Sequence, residues 1–203
     1  MKRIDSHGLF DIKVVHRDIF PGNILVAEPF LREGYFNHSV ISLMDYSRED
    51  GAMGVVMNNV IAGTKLQHVL PSITREDPVP IFCGGPVASD RLYFIHALGH
   101  LFPDDIEINE GLYIGRDFVT ITDYVNSGYP LEGRLRFFIG YSGWEPKQLE
   151  KECMENVWAV SPSVLSAEEA LTGSEDAYWH KTVRLLGKEY RQWLLHPKNP
   201  SLN

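Results

Sequence analysis

Cysteine is scarce in this chain. Only Cys83 and Cys153 occur in 203 residues, and they lie far apart. They offer neither a CxxC pair nor a disulfide framework, which excludes a small stapled scaffold and points to free thiols in a reducing compartment. An excess of cations is missing too: 27 acidic residues oppose 19 basic ones, for a formal net charge of −8. Proteins that grip phosphate backbones usually carry a basic face, so tight direct binding to duplex DNA is not expected. No apolar run approaches the roughly 20 residues of a membrane-spanning helix. The two cations at Lys2 and Arg3 are followed by Asp5, His7 and Asp11 rather than by an apolar segment, which argues against a secretory signal. A cytoplasmic protein with no membrane partner is the expectation. No linker, repeat or low-complexity segment divides the sequence, so a single domain over 1–203 is expected, with a lead-in at 1–20 and a frayed tail from about 197 to 203. A chain this long can bury about 70% of its unfolded surface and needs no metal to hold a core.

What is present reads as strands followed by helices. Short apolar runs at Ile24–Ala27, Val40–Met44, Ala52–Asn58, Val79–Cys83, Arg91–Ala97 and Gly111–Ile114 predict strands, and Arg134–Tyr141 is the clearest of them. Thr64-Lys65-Leu66-Gln67 has capping-box spacing and predicts a short helix stopped by Pro71. Phe118, Ile121 and Val125 share one helical face. Pro146 suits the first position of a helix over Lys147–Asn156. Ser166-Ala167-Glu168-Glu169 is a second capping box. A last helix carries Trp179, Val183, Leu186, Tyr190, Trp193 and Leu194 on one stripe. Strands in the middle and helices in the last quarter favour α+β over a regular βαβ series.

Several segments invite a chemical reading. Gly140-Tyr141-Ser142-Gly143-Trp144 has the look of a nucleophile elbow, but Trp144 stands where the second glycine belongs. A tight turn covered by Trp144 is the expectation instead. His96 and His100 have the i,i+4 spacing of a zinc pair, yet Gly99 and strand-like Leu92–Ala97 oppose a helix there. Gly84-Gly85-Pro86 lacks the longer phosphate-loop motifs and reads as a turn. Cys83 becomes a nucleophile only if a histidine such as His96 lies close in space. Lys181, Arg184, Lys188 and Arg191 are spaced to share a solvated helix face. Catalytic, cofactor and metal residues are therefore not assigned. The candidates for a small-ligand pocket are Gly84, Gly85, Pro86, His96 and Trp144.

Taken in order, these segments resemble the AlgH/YqgE family (UPF0301, DUF179). The resemblance runs from about Gly22 to Gly187. It rests on Gly22-Asn23-Ile24-Leu25-Val26-Ala27-Glu28-Pro29, on Phe36-Asn37-His38-Ser39-Val40-Ile41, on Gly51-Ala52-Met53-Gly54-Val55-Val56-Met57-Asn58, on Gly84-Gly85-Pro86-Val87 with Phe94-Ile95-His96, and on Gly140-Tyr141-Ser142-Gly143-Trp144-Glu145-Pro146-Lys147-Gln148-Leu149-Glu150 leading to Trp158. It implies an α+β fold with a bifurcated mixed sheet shaped as a pseudo-barrel and flanked by helices. It also implies a non-enzymatic protein with no cofactor, labelled a transcriptional regulator by association with alginate control and acting through protein partners. Two departures stand out. Asn58-Asn59-Val60 replaces the usual Asn-Arg/Lys-Pro, and Ser142 stands where relatives often carry alanine. The alternative from another class is an enzyme or ligand binder built on the five pocket candidates.

Overall fold

The structure is a computed structural model that describes residues 17–31, 34–161 and 165–198. Most of the lead-in and the last five residues of the tail lie outside the described residues. Ten strands make one sheet: β1 Ile24–Ala27, β2 Val40–Ser47, β3 Gly51–Val56, β4 Val60–Lys65, β5 Pro80–Cys83, β6 Val87–His96, β7 Ile106–Asn109, β8 Leu112–Gly115, β9 Leu135–Trp144 and β10 Trp158–Val160. Among the described residues five α-helices accompany them: α1 Leu66–Val69, α2 Phe118–Asn126, α3 Gln148–Met154, α4 Ala167–Ala170 and α5 Glu175–Leu186. A 3-10 segment, Lys188–Leu195, follows α5.

The sheet runs β10-β1-β2-β3-β9-β6-β8-β7 and divides at β9. The last part of β9 pairs antiparallel with β3, Ser142 opposite Gly54. Its earlier part pairs in parallel with β5, Phe138 opposite Phe82. Strand β6 pairs with β9 antiparallel and joins Tyr93 to Phe138. This is α+β with a mixed, forked sheet. The described strands leave the sheet open from β10 to β7, so the barrel-like closure implied by the resemblance is not carried further.

The fork needs glycine. A Cβ on Gly84 would meet the Gly140 carbonyl oxygen at 2.2 Å, and one on Gly140 would meet the Gly85 oxygen at 2.4 Å. Gly140 has φ +70, where side chains are disfavoured. Two backbone segments thus lie directly on each other, and the Ser142 hydroxyl donates to the Gly84 carbonyl at 3.0 Å.

Both faces of β1–β3 are covered, which explains their continuous apolar runs. Ile24, Val26, Val40 and Val55 face α5 and the 3-10 segment. Leu25, Ala27, Ile41 and Val56 face α3 and Trp144. A further core around Phe94, Phe137, Ile121 and Val125 holds α2 against β5, β6 and β9. The expected face of α2 is therefore buried, and Asp117 caps it by accepting from the Val119 and Thr120 amides.

Four local expectations are corrected. Gly140–Trp144 is not a tight turn: β9 continues through Trp144. Pro146 does not open a helix, since α3 starts at Gln148 after Lys147 in the left-handed region. Thr64 lies within β4 instead of capping α1, whose N-cap is Lys65, and Gln67 donates to the Arg75 and Asp77 carbonyls. The last helix stops at Gly187, φ +133, and continues as 3-10. Its stripe still reaches the core through Trp179, Tyr190 and Trp193. Lys188 and Arg191 therefore lie off the helix that carries Lys181 and Arg184. The Ser166 capping box forms as expected.

Trp144 is buried, and its indole N–H donates to Glu152 at 2.8 Å. The same carboxylate oxygen accepts from Trp158 at 2.7 Å. Replacing Trp144 with alanine is expected to cost about 3–5 kcal/mol, the range for a buried large aromatic. Ser142→Ala should cost about 1 kcal/mol, one ordinary hydrogen bond, because the Gly84 carbonyl keeps the Val56 amide. Urea denaturation of the two variants measures both, and a Trp144→Ala protein as stable as the parent contradicts this packing.

Candidate functional site

Among the described residues, the five pocket candidates fall at separate places along β9. Gly84 and Gly85 spend their space on the backbone of β9. His96 sits opposite Leu135, while Val87, next to Pro86, sits opposite Tyr141 at the far end of β9. That six-residue offset spans about 20 Å at strand rise. Trp144 lines a different cleft, of about 520 Å³, beside Asp45, Asp50 and Glu145.

His96 is fully buried and both ring nitrogens are in use. Nδ1 accepts from the Leu98 amide at 3.1 Å. That fixes the proton on Nε2, which donates to Asp105 at 3.0 Å. His100 is exposed on the following turn, so the two histidines make no zinc pair. Cys83 pairs with Ile139, four positions along β9 from the partner of His96, and β5 and β6 flank β9 on opposite sides. Burial also pushes the Cys83 thiol up. Ser142 is buried with its hydroxyl committed to Gly84. Among the described residues, no side-chain base is hydrogen-bonded to Ser142 or Cys83.

The site with chemical potential is one that sequence reasoning missed. Arg136 lies in β9 on the face shared with Phe138, among buried rings, and is itself 5% exposed. Its guanidinium donates to the Met57 carbonyl, to the Leu171 carbonyl at 2.8 Å and to the Gly173 carbonyl at 2.7 Å. The Phe82 ring lies 4.2 Å from the guanidinium carbon and the Tyr178 ring 5.8 Å. No carboxylate among the described residues forms an ion pair with it. Burial lowers it to about 10, opposed by Tyr178 and Glu132, so it remains a cation at pH 7.

Guanidinium has five N–H donors, and three bonds to carbonyls leave two of them for another partner. A cleft of about 330 Å³ opens over this residue, walled by Val60, Phe82, Leu131, Leu135 and Leu171, with Pro80, Glu132 and Gly173 at its exposed rim. An apolar hollow of that size with one convergent polar group has the composition of a small-ligand site. The signal in the sequence was parity. Arg136 is two positions from Phe138 and must point to the same face of a strand whose residues are otherwise apolar.

The fold and this cleft define an α+β protein with a forked sheet and one buried cation under an apolar hollow. The AlgH-like family profile (DUF179) matches residues 24–191. A UPF0301 protein of Parabacteroides distasonis is 40% identical over 94% of this chain and 96% of its own length. One from Chlorobium limicola is 32% identical over 90% of this chain and 95% of its own. The chain belongs to the AlgH-like family. Two solved structures share the fold: the AlgH protein of Pseudomonas aeruginosa, with TM-score 0.65 and 22% identity over 92% of this chain and 93% of that one, and a protein of Corynebacterium diphtheriae, with TM-score 0.67 and 21% identity over 88% and 93%.

A pH dependence follows from His96. Burial holds its imidazole below the ordinary value of 6.5, against the pull of Asp105. The unfolded chain therefore binds the proton first as pH falls, and stability rises with pH in that window. Stability should be full above about pH 6.5 and decline as the pH drops towards the lowered value. Urea midpoints between pH 7.5 and 5 check this, and the His96→Gln variant should show a flatter slope.

Proposed function

We propose that this chain is a cytoplasmic binding protein, not an enzyme, whose cleft over Arg136 takes a small molecule with one anionic group on an apolar body. The observation that carries the reading is the buried guanidinium with two uncommitted N–H groups beneath an apolar hollow. A carboxylate or phosphate monoester would supply the paired anion that no described carboxylate gives Arg136, and the hollow would shelter its apolar part. Free thiols at Cys83 and Cys153 suit a reducing compartment. Among the described residues no helix is long and apolar enough to cross a membrane.

A regulatory role through a protein partner fits the same geometry. Arg136 holds the carbonyls of Leu171 and Gly173, so a ligand that draws on the guanidinium also acts on the segment between α4 and α5. Direct gripping of duplex DNA is not part of this reading. Fluorescence anisotropy at physiological salt should show no nanomolar complex, and any weak binding should vanish as salt rises.

Octanoate and phenyl phosphate are suitable probes for the cleft. Either should raise the melting temperature and shift the amide resonances of Leu171–Ser174. Val60→Trp, which fills the hollow from its half-buried wall, should abolish both effects. Glu132→Gln removes a rim carboxylate that competes for Arg136 and should tighten binding. Resonance changes that persist in Val60→Trp, or none in the parent, would overturn the reading.

A further inference from the structure

A second cluster lies outside the cleft. His38, just before β2, is fully buried and has φ +51, a region that non-glycine residues occupy sparsely. Its ring stacks on Trp179, with centroids 3.8 Å apart and planes 15° from parallel. Its Nδ1 lies 2.6 Å from Asp176 Oδ1. Asp176 Oδ2 lies 3.3 Å from His180 Nε2, one helical turn further along α5. One ligand atom from each residue fits within 4.8 Å of the others.

We propose that His38, Asp176 and His180 form a binding site for a divalent transition-metal ion of the zinc class. Two imidazoles and one carboxylate are the donor set that zinc accepts, with bonds of about 2.0–2.2 Å. Donors around a tetrahedral ion of that size stand about 3.3 Å apart; Asp176 Oδ2 and His180 Nε2 stand 3.3 Å apart, and one ligand atom from each of the three residues lies within 4.8 Å of the others. The donor types disfavour magnesium and calcium, which take oxygen ligands. The arrangement is stiff where a site should be. The His38 ring is clamped by Trp179, and Asp176 and His180 are set by helical spacing. His38 Nε2 is buried without a hydrogen-bond partner. A metal ion at Nδ1 would take the place of the hydrogen bond to Asp176 and shift the ring proton to Nε2. Asp176 and His180 are partly exposed, with side chains 40% and 26% accessible, which gives an ion a route in and leaves coordination positions for water. The Lys198 ammonium acts on His38 and opposes a bound cation. This site does not depend on the cleft over Arg136.

The test is a competition titration of Zn²⁺ between the full-length, tag-free chain and a colorimetric indicator, with Co²⁺ absorption as a report on coordination. The parent should bind one equivalent. His180→Ala and Asp176→Asn should each weaken binding at least tenfold, since even outer partners of metal ligands are worth 10–100-fold. Lys198→Ala should tighten it, and His100→Ala, on a distant exposed turn, should leave it unchanged. His180 is only half-buried, so its replacement should keep the metal-free melting temperature, and Zn²⁺ should raise that temperature in the parent alone. No Zn²⁺ bound to the parent, or equal affinity in the parent, His180→Ala and Asp176→Asn, would overturn the assignment.

Discussion

The rest of the architecture depends on a contact between two pieces of bare backbone. Gly84 and Gly85 lie against Gly140 and Tyr141 so closely that a single methyl group would collide with a carbonyl. Because they do, β5 can leave β9 at Ile139 while β3 takes over from Ser142. The two branches of the sheet need different directions, and the positive φ of Gly140 supplies the bend between them. Hydrogen bonds then fix the junction: the Gly84 amide donates to Ile139, and the Gly84 carbonyl accepts from both Val56 and Ser142. With the fork in place, the face of β9 that carries Arg136 and Phe138 turns towards α5, and the opposite face towards α2.

Much of this was legible in the residues, for identifiable reasons. Ile24–Ala27, Val40–Met44 and Arg134–Tyr141 announce themselves as strands because burial on two faces leaves no room for polar interruptions. The Ser166 capping box forms because both of its bonds are local. Thr64 has the same spacing and fails, because pairing of Lys65 with Pro80 in a neighbouring strand competes for that stretch. Strands β4, β7 and β10 were missed: β4 and β7 are short, half-exposed segments stabilised by their partners rather than by a pattern of their own. The break at Gly187 was hidden because the apolar stripe continues across it into the 3-10 segment.

The five residues picked for a pocket illustrate the limit of local reading. Each is a residue type that ligand sites use, but glycine, histidine and tryptophan also solve packing problems, and here three of those problems lie in separate places. Gly84 and Gly85 answer backbone proximity. His96 answers the Leu98 amide and Asp105, and the Trp144 indole answers Glu152. Arg136 and His38 differ because their surroundings leave something over. Arg136 keeps donors beyond its three carbonyls, and His38 keeps a nitrogen without a partner. Buried remainders also occur at Ser39, Ser42 and Trp193, and each calls for an explanation.

Both remainders border the start of α5. Glu175, its first residue, has φ +55, a conformation that costs free energy and persists only where neighbours enforce it. Three bonds enforce it. The Glu175 amide donates to the Asn58 carbonyl at 2.7 Å, its carbonyl accepts from Asn58 Nδ2 at 3.0 Å, and its carboxylate accepts from the Val60 amide at 3.3 Å. Asn58 ties the same point to β2, since its side-chain oxygen accepts from Val40 and its amide also donates to the His38 carbonyl. It is the residue that makes the positive φ of His38 and that of Glu175 parts of one network. Arg136 grips the chain two residues before Glu175 and His38 grips it one residue after. The helix that covers the main core therefore begins at a point fixed from both sides, and the cation and the imidazole left with spare capacity are the ones that fix it.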